Sequence, residues 1–250
     1  MSALRRPLTD VVRGWLDLNG PLLGPAFYLF ESVRSYIEER KEAFDARFGT
    51  DTAAPVLGRG QRPGGYFYVA TTASLIYEVI EALALPPDVF AFVDMGSGKG
   101  RALLVASEFA FAKIVGIELS PQLHRIAQNN VKRYSPQTQQ CTDFDLRCMN
   151  VVDYAYGPEP LVLFLFDPFD RETLESVVSN LEASLRENPR DAYIAYVYPQ
   201  FEDVLQASPI LRKVQEGGPR WRPWSRYVVY ATSPGSDRAA KTAAQQPGSG

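Results

Sequence analysis

Apolar positions along this chain alternate between two periods. Uninterrupted runs rich in β-branched and aromatic residues, at residues 89–93 (Val-Phe-Ala-Phe-Val), 114–117 and 161–166 (Leu-Val-Leu-Phe-Leu-Phe), have the length and bulk of buried strands. The six-residue run shows no polar alternation, as expected of a central parallel strand covered on both faces. Regions 144–152, 192–198, 211–215 and 227–232 add four more strands, with Pro199 stopping the one before it. Between them lie stretches with helical spacing. Ala102-Leu103-Leu104-Val105-Ala106 with Phe109 forms one face, and Leu123, Ile126, Ala127, Asn130 and Val131 form another behind Ser120-Pro121, a capping serine and a proline suited to the first turn. Residues 73–83, 171–186 and 201–206 read as further helices. The pattern predicts an α/β fold: a seven-stranded, mostly parallel, doubly wound sheet with helices on both faces.

Upstream, Leu8, Val11, Val12, Trp15 and Leu16 share a helical face that Asn19-Gly20-Pro21 ends, and a longer stripe from about 26 to 48 runs through Phe30, Val33, Ile37 and Phe44. Residues 1–65 are expected to form an N-terminal helical cap and a Pro/Gly-rich linker, serving as a lid on the sheet or as a substrate-binding cap. Residues 66–232 form the main domain. Residues 233–250, rich in Ser, Gly, Ala, Gln and Pro, have the composition of a disordered tail.

The chemistry gathers where the first buried run ends. Gly96, Gly98 and Gly100 alternate with Ser97 and Lys99, a spacing costly inside any regular element and suited to close approach of a backbone to a ligand. Strand, glycine turn, helix and a second strand ending on Glu118 make a nucleotide-binding βαβ unit. A P-loop would need Ser or Thr after Lys99, where Gly100 stands. A dinucleotide fingerprint would need its third glycine where Arg101 stands. An acid two residues before the first glycine, Asp94, distinguishes this turn from both.

Asp94-x-Gly96-x-Gly98-x-Gly100 with Glu118 resembles motifs I and II of class I S-adenosylmethionine-dependent methyltransferases, which are Rossmann-like in fold. The resemblance implies that Asp94 and the turn, Ser97 included, hold the amino-acid end of S-adenosylmethionine, and that Glu118 holds its ribose. Phe44-Asp45-Ala46-Arg47-Phe48-Gly49-Thr50-Asp51-Thr52 and Tyr68-Val69-Ala70-Thr71 are similar to the FDxxxGxDT and YxPT segments that precede this turn in a bacterial group of these enzymes, with Ala70 in place of the proline. By that likeness Tyr68 and Thr71 face the cofactor, although Thr71 and Thr72 are also placed to cap the helix that follows. Asn150 occupies the position of the family's adenine-contacting acid, and Asp153, three residues on, is the other candidate. Asp167-Pro168-Phe169 resembles motif IV of amino-methyltransferases, with Asp167 at the catalytic position, accepting hydrogen bonds from a target nitrogen. The residues alone equally allow Asp167 to cap the helix from Arg171.

Composition narrows the picture little further. The 250 residues are 46% hydrophobic and 22% charged with a net charge of −3, which offers no electrostatic case for an obligatory nucleic-acid partner. One loop, 217–226, interleaves Trp221 and Trp224 with Arg220, Arg222 and Arg226 and reads as a substrate-facing or surface loop. Cys141 and Cys148 have neither zinc nor disulfide spacing, no run reaches membrane-spanning length, and the first residues lack the apolar core of a signal peptide, so the cytoplasm is the expected compartment. His124, the only histidine, has no Ser, Cys or acid partner signalled around it and reads as a partly exposed helix residue. The expected activity is methyl transfer from S-adenosylmethionine to nitrogen on a protein side chain or a small molecule. The alternatives are an oxygen acceptor, a non-catalytic cofactor-binding subunit, or an NAD(P)-dependent oxidoreductase. The sequence specifies neither the acceptor nor the oligomeric state.

Overall fold

The computed structural model describes residue 37 and residues 43–54, 56–58, 66–68, 70–166, 169–219 and 223–232. The helix expected at 8–16, most of that at 26–48, the linker interior, the tail from 233, and Asp167 with Pro168 lie outside the described residues. Of the expected cap, Ile37 is helical and half exposed. Phe44–Phe48 is a short helix, α1, which Gly49 ends at φ 68°. Leu57–Gly58 (β1) and Tyr66–Phe67 (β2) pair antiparallel, a small ribbon that joins the expected linker to the start of the main domain.

The main domain alternates as its periodicity requires. Helix α2 (Ala73–Ala82), strand β3 (Ala91–Met95), helix α3 (Arg101–Ala106), strand β4 (Lys113–Glu118), helix α4 (Pro121–Arg133) and strand β5 (Phe144–Cys148) are followed by strand β6 (Leu161–Phe166), helix α5 (Arg171–Glu187) and strand β7 (Ala192–Val197). The short helix α6 (Glu202–Gln206) precedes the last two strands, β8 (Leu211–Gly217) and β9 (Tyr227–Thr232). Seven strands form one sheet in the order β5-β4-β3-β6-β7-β9-β8. Only β9 runs against the rest, antiparallel to both β7 and β8. The chain winds outward from β3 through β4 to β5, returns beside β3 as β6, and then winds the other way. Its winding direction reverses between β3 and β6, and ligands of open α/β sheets bind at such a point, beyond the carboxyl ends of the strands.

The period of two divides the core. Phe92, Ile114, Val162, Phe164, Ala195 and Val197 turn to one side, against α2 and α3. Val93, Val115, Leu163, Leu165, Ile194 and Tyr196 turn to the other, against α5. All twelve are buried, and each Val, Leu, Ile or Phe among them contributes about 1.5–3 kcal/mol on leaving water.

Several boundaries differ from the sequence expectation, for local reasons. The first long strand begins at Ala91, because Pro87–Val89 forms a one-turn 3-10 helix that leaves Val89 half exposed. Strand β5 stops at Cys148, because Asn150 caps a second such turn, Val151–Asp153. The cap of α5 is Asp170, whose carboxylate accepts the Thr173 amide at 3.0 Å. Asp167 is therefore not that helix's cap. Thr72 holds the N-cap position of α2 but makes no side-chain capping bond, so the threonine cap expected there is absent.

Candidate active site

Strand β3 delivers Asp94 to the reversal point, where it sits beside Gly116 of β4 and Phe164 of β6. The turn that follows is left-handed at each glycine, with φ 94° at Gly96, 53° at Gly98 and 87° at Gly100. The end of β4 shapes it. The amides of Gly96 and Ser97 both donate to the Ile117 carbonyl at 2.9 Å, and that of Gly100 donates to Ser97 O at 2.7 Å. Glu118 closes the arrangement, with Oε2 accepting from Gly98 N at 2.8 Å and Oε1 from Ser120 N at 2.7 Å. Several turn amides thus hold the turn itself together. The glycine at 98 is also required by space, since an added Cβ would lie 2.3 Å from Cε2 of Tyr68.

Two carboxylates share this buried crevice. Burial, reinforced by the charge of Glu118, pushes Asp94 up to about 8. Burial also raises Glu118, against the opposing amides of Ser120 and Gly98. Such a pair fits a ligand that brings a cation and hydroxyl groups. Ser97, buried beside them, contributes the carbonyl that closes the turn.

A further observation supports a polar occupant. Thr71 is buried and its Oγ1 has no hydrogen-bond partner, a state that native structures rarely leave without an external partner. Thr71 lines a small cavity with Leu75 of α2, Phe166 at the end of β6 and Trp224 of the 217–226 loop. That loop therefore reaches the mouth of the sheet, while its Arg226 is spent on Glu202 at 2.7 Å. The residues present fit S-adenosylmethionine: Asp94 for its ammonium group, Glu118 for its ribose hydroxyls, and Thr71 with an unspent hydroxyl.

The remaining expected residues are placed as follows. The ring of Tyr68 packs on Gly98, and its hydroxyl donates to Thr52 O at 2.9 Å. Burial lifts its phenol well above the ordinary range, against the Arg101 charge and the Lys99 amide. Asn150 stands two residues beyond Cys148, which pairs with Glu118, so it shares the carboxyl-end rim with that acid. Its Oδ1 accepts Val152 N at 3.3 Å, and Asp153 lies exposed on the same 3-10 turn. Phe169 is half buried against the α5 side of the core. His124 is partly exposed on α4, its imidazole lowered by burial.

Sequence reasoning missed a buried polar network beneath the turn. Asp45 accepts from Thr50 Oγ1, Thr52 Oγ1 and the amides of Thr52 and Ala53, at 2.7–2.8 Å. Burial opposes its charge, yet these bonds hold its carboxyl below the ordinary value. Arg101 donates through Nε to Thr52 Oγ1 at 2.7 Å and through Nη1 to Thr71 O at 3.3 Å. Lys99 reaches Asp51 at 2.7 Å. The signal was present in the density of Asp and Thr between Phe44 and Thr52, but its partners lie 30 or more residues away.

The reversed strand order matches the class I S-adenosylmethionine-dependent methyltransferase fold, and the glycine turn with its paired acids at the carboxyl ends is the candidate cofactor site. A family model described as "Histone methylation protein DOT1" matches residues 61–152, the segment that holds the turn, Glu118 and Asn150. Over that segment the chain is similar to a family of S-adenosylmethionine-dependent methyltransferases. No curated protein sequence matches it. Among solved structures it is similar to a ribosomal protein L11 methylase from Lactobacillus delbrueckii subsp. bulgaricus, at 18% identity over 65% of this chain and 78% of that one, with a TM-score of 0.46. It is also similar to a magnesium protoporphyrin IX methyltransferase from Synechocystis PCC 6803, at 14% over 64% and 77% with a TM-score of 0.47. An RNA methyltransferase from Salinibacter ruber matches at 22% over 66% and 92%, with a TM-score of 0.43. Among the described residues no helix is long and apolar enough to cross a membrane.

Proposed function

We propose that the chain is an S-adenosylmethionine-dependent methyltransferase, that the methyl acceptor is a nitrogen, and that the nitrogen belongs to a protein side chain. The observation that carries the protein acceptor is the match of residues 61–152 to a model described as a histone methylation protein, since that segment contains the candidate cofactor site. The nitrogen rests on the sequence Asp167-Pro168-Phe169, which follows β6 directly at the reversal point. An ionised Asp167 there accepts hydrogen bonds from an amine and aims its lone pair, whereas it repels a phenolate or carboxylate acceptor.

S-adenosylmethionine supplies a methyl group already activated on a sulfonium. What remains for the protein is to bind, orient and exclude water. Asp94 holds the ammonium group, Glu118 accepts from the ribose, Asn150 or Asp153 meets the adenine, and Tyr68 supports the turn from behind. The wall made by Thr71, Leu75, Phe166 and Trp224 shields the acceptor's approach. Where the amine arrives protonated, Asp167 takes its proton. The cytoplasm is the compartment we assign, in keeping with two cysteines that are both free.

Incubation with methyl-labelled S-adenosylmethionine and a cell extract tests this reading. Label is expected in the protein fraction, on nitrogen by mass spectrometry, and Asp167→Ala is expected to keep cofactor binding while losing most of the transfer. Label on oxygen or carbon, or in small molecules or nucleic acid alone, contradicts the acceptor assignment.

A further inference from the structure

The glycine turn is gripped from below as well as from β4, by groups that touch neither Asp94 nor Glu118. Lys99, between two left-handed glycines, is 1% exposed, and its Nζ donates to Asp51 Oδ1 at 2.7 Å. The same ammonium lies 5.7 Å over the ring of Tyr68. Asn130 of α4, also 1% exposed, joins both partners through its amide. Its Oδ1 accepts Asp51 N at 2.9 Å, and its Nδ2 donates to Asp51 O at 2.8 Å and to Lys99 O at 2.9 Å. A buried lysine paired, among the described residues, with one carboxylate is an expensive arrangement, since either charge alone would be stranded. Asp51 itself is about half exposed, so the cost falls on holding Lys99 inside.

The chain of contacts leads to the cofactor site. Asp51 and Asn130 fix the backbone at Lys99, and the residue before it, Gly98, donates its amide to Glu118. Tyr68 closes the loop, with its ring on Gly98 and its hydroxyl on Thr52 of the same strap.

We propose that residues 45–53 form a strap belonging to the cofactor site, and that Asp51, Lys99 and Asn130 are positioning residues that set the Gly98 amide and Glu118 for S-adenosylmethionine. The lysine of the turn is thereby assigned to the strap and not to the ligand. This inference rests on the cofactor reading given above. Because coupling between sites is reciprocal, a cofactor that needs the docked strap must also hold the strap down.

The test uses the full chain and S-adenosylhomocysteine. The double variant Asp51→Asn with Lys99→Met removes the tether without stranding a charge. Its melting temperature is expected to stay near that of the wild type while its S-adenosylhomocysteine affinity, by calorimetry, falls about tenfold, within the usual span of coupling between sites. In the wild type, the amides of Asp51, Thr52 and Ala53 are expected to exchange more slowly with solvent when S-adenosylhomocysteine is added. Unchanged affinity in the double variant, or strap amides indifferent to the ligand in the wild type, overturns the strap's role and leaves the cofactor reading standing. A wild type that does not bind S-adenosylhomocysteine overturns both.

Discussion

Asp94 carries most of the pH dependence expected of the crevice. With its carboxyl raised from the ordinary 3.8 to about 8 by burial and by Glu118, the folded protein binds a proton there that the unfolded chain releases. Stability from this group is full below pH 4 and is lost as the pH rises towards 8. Asp94→Asn should remove that slope, which denaturant midpoints at several pH values would show; a slope equal to that of the wild type would mean that Asp94 is ionised throughout. The cofactor's ammonium group favours the carboxylate, so binding near neutral pH should release a proton, visible in calorimetry as a dependence on the buffer's ionisation enthalpy. Glu118→Ala should weaken S-adenosylhomocysteine by about 1.5–3 kcal/mol, the value of hydrogen bonds to a charged group. Both acids were legible in the sequence, because an acid before a glycine turn and an acid ending the next strand are local signs. Asn130, Lys99 and Arg101 were not, because nothing local marks a polar residue that will be buried by a segment 30 to 80 residues distant.

At the scale of elements, the two periods found the strands and helices but placed several of their ends imperfectly. The ends depend on single hydrogen bonds, as at α5, where the sequence offered Asp167 as a cap and the bond to Thr173 selects Asp170. Asp170→Ala should cost about 1 kcal/mol of stability, the usual value of an N-cap. Asp167→Ala should leave the melting temperature nearly unchanged. The opposite ranking in thermal unfolding would return the cap to Asp167. The ribbon of β1 and β2 escaped notice because each strand has only two residues, too few for any alternation to register. At the turn, Gly98→Ala meets both a left-handed φ and the ring of Tyr68. It should destabilise by about 1–3 kcal/mol, the cost of one such strained residue, and it should impair binding as well. A variant with native stability and affinity would show that the ring moves aside freely.

For the whole molecule, the alternation of strand and helix announced an α/β sheet, but strand order is not written locally. The reversal between β3 and β6 becomes visible only when β6 is seen beside β3, and it is this reversal that brings Asp94 and the end of β6 to one crevice. A ligand in that crevice stabilises only the folded state, by about 2.7 kcal/mol at a hundred times its dissociation constant. The most direct measurement of the central claim is therefore calorimetric titration of the wild-type protein and Glu118→Ala with S-adenosylmethionine and, separately, with NAD. The account predicts stoichiometric binding of S-adenosylmethionine by the wild type, weaker binding by the variant and no heat with NAD. Binding of NAD in preference, or S-adenosylmethionine affinity indifferent to Glu118, would contradict it.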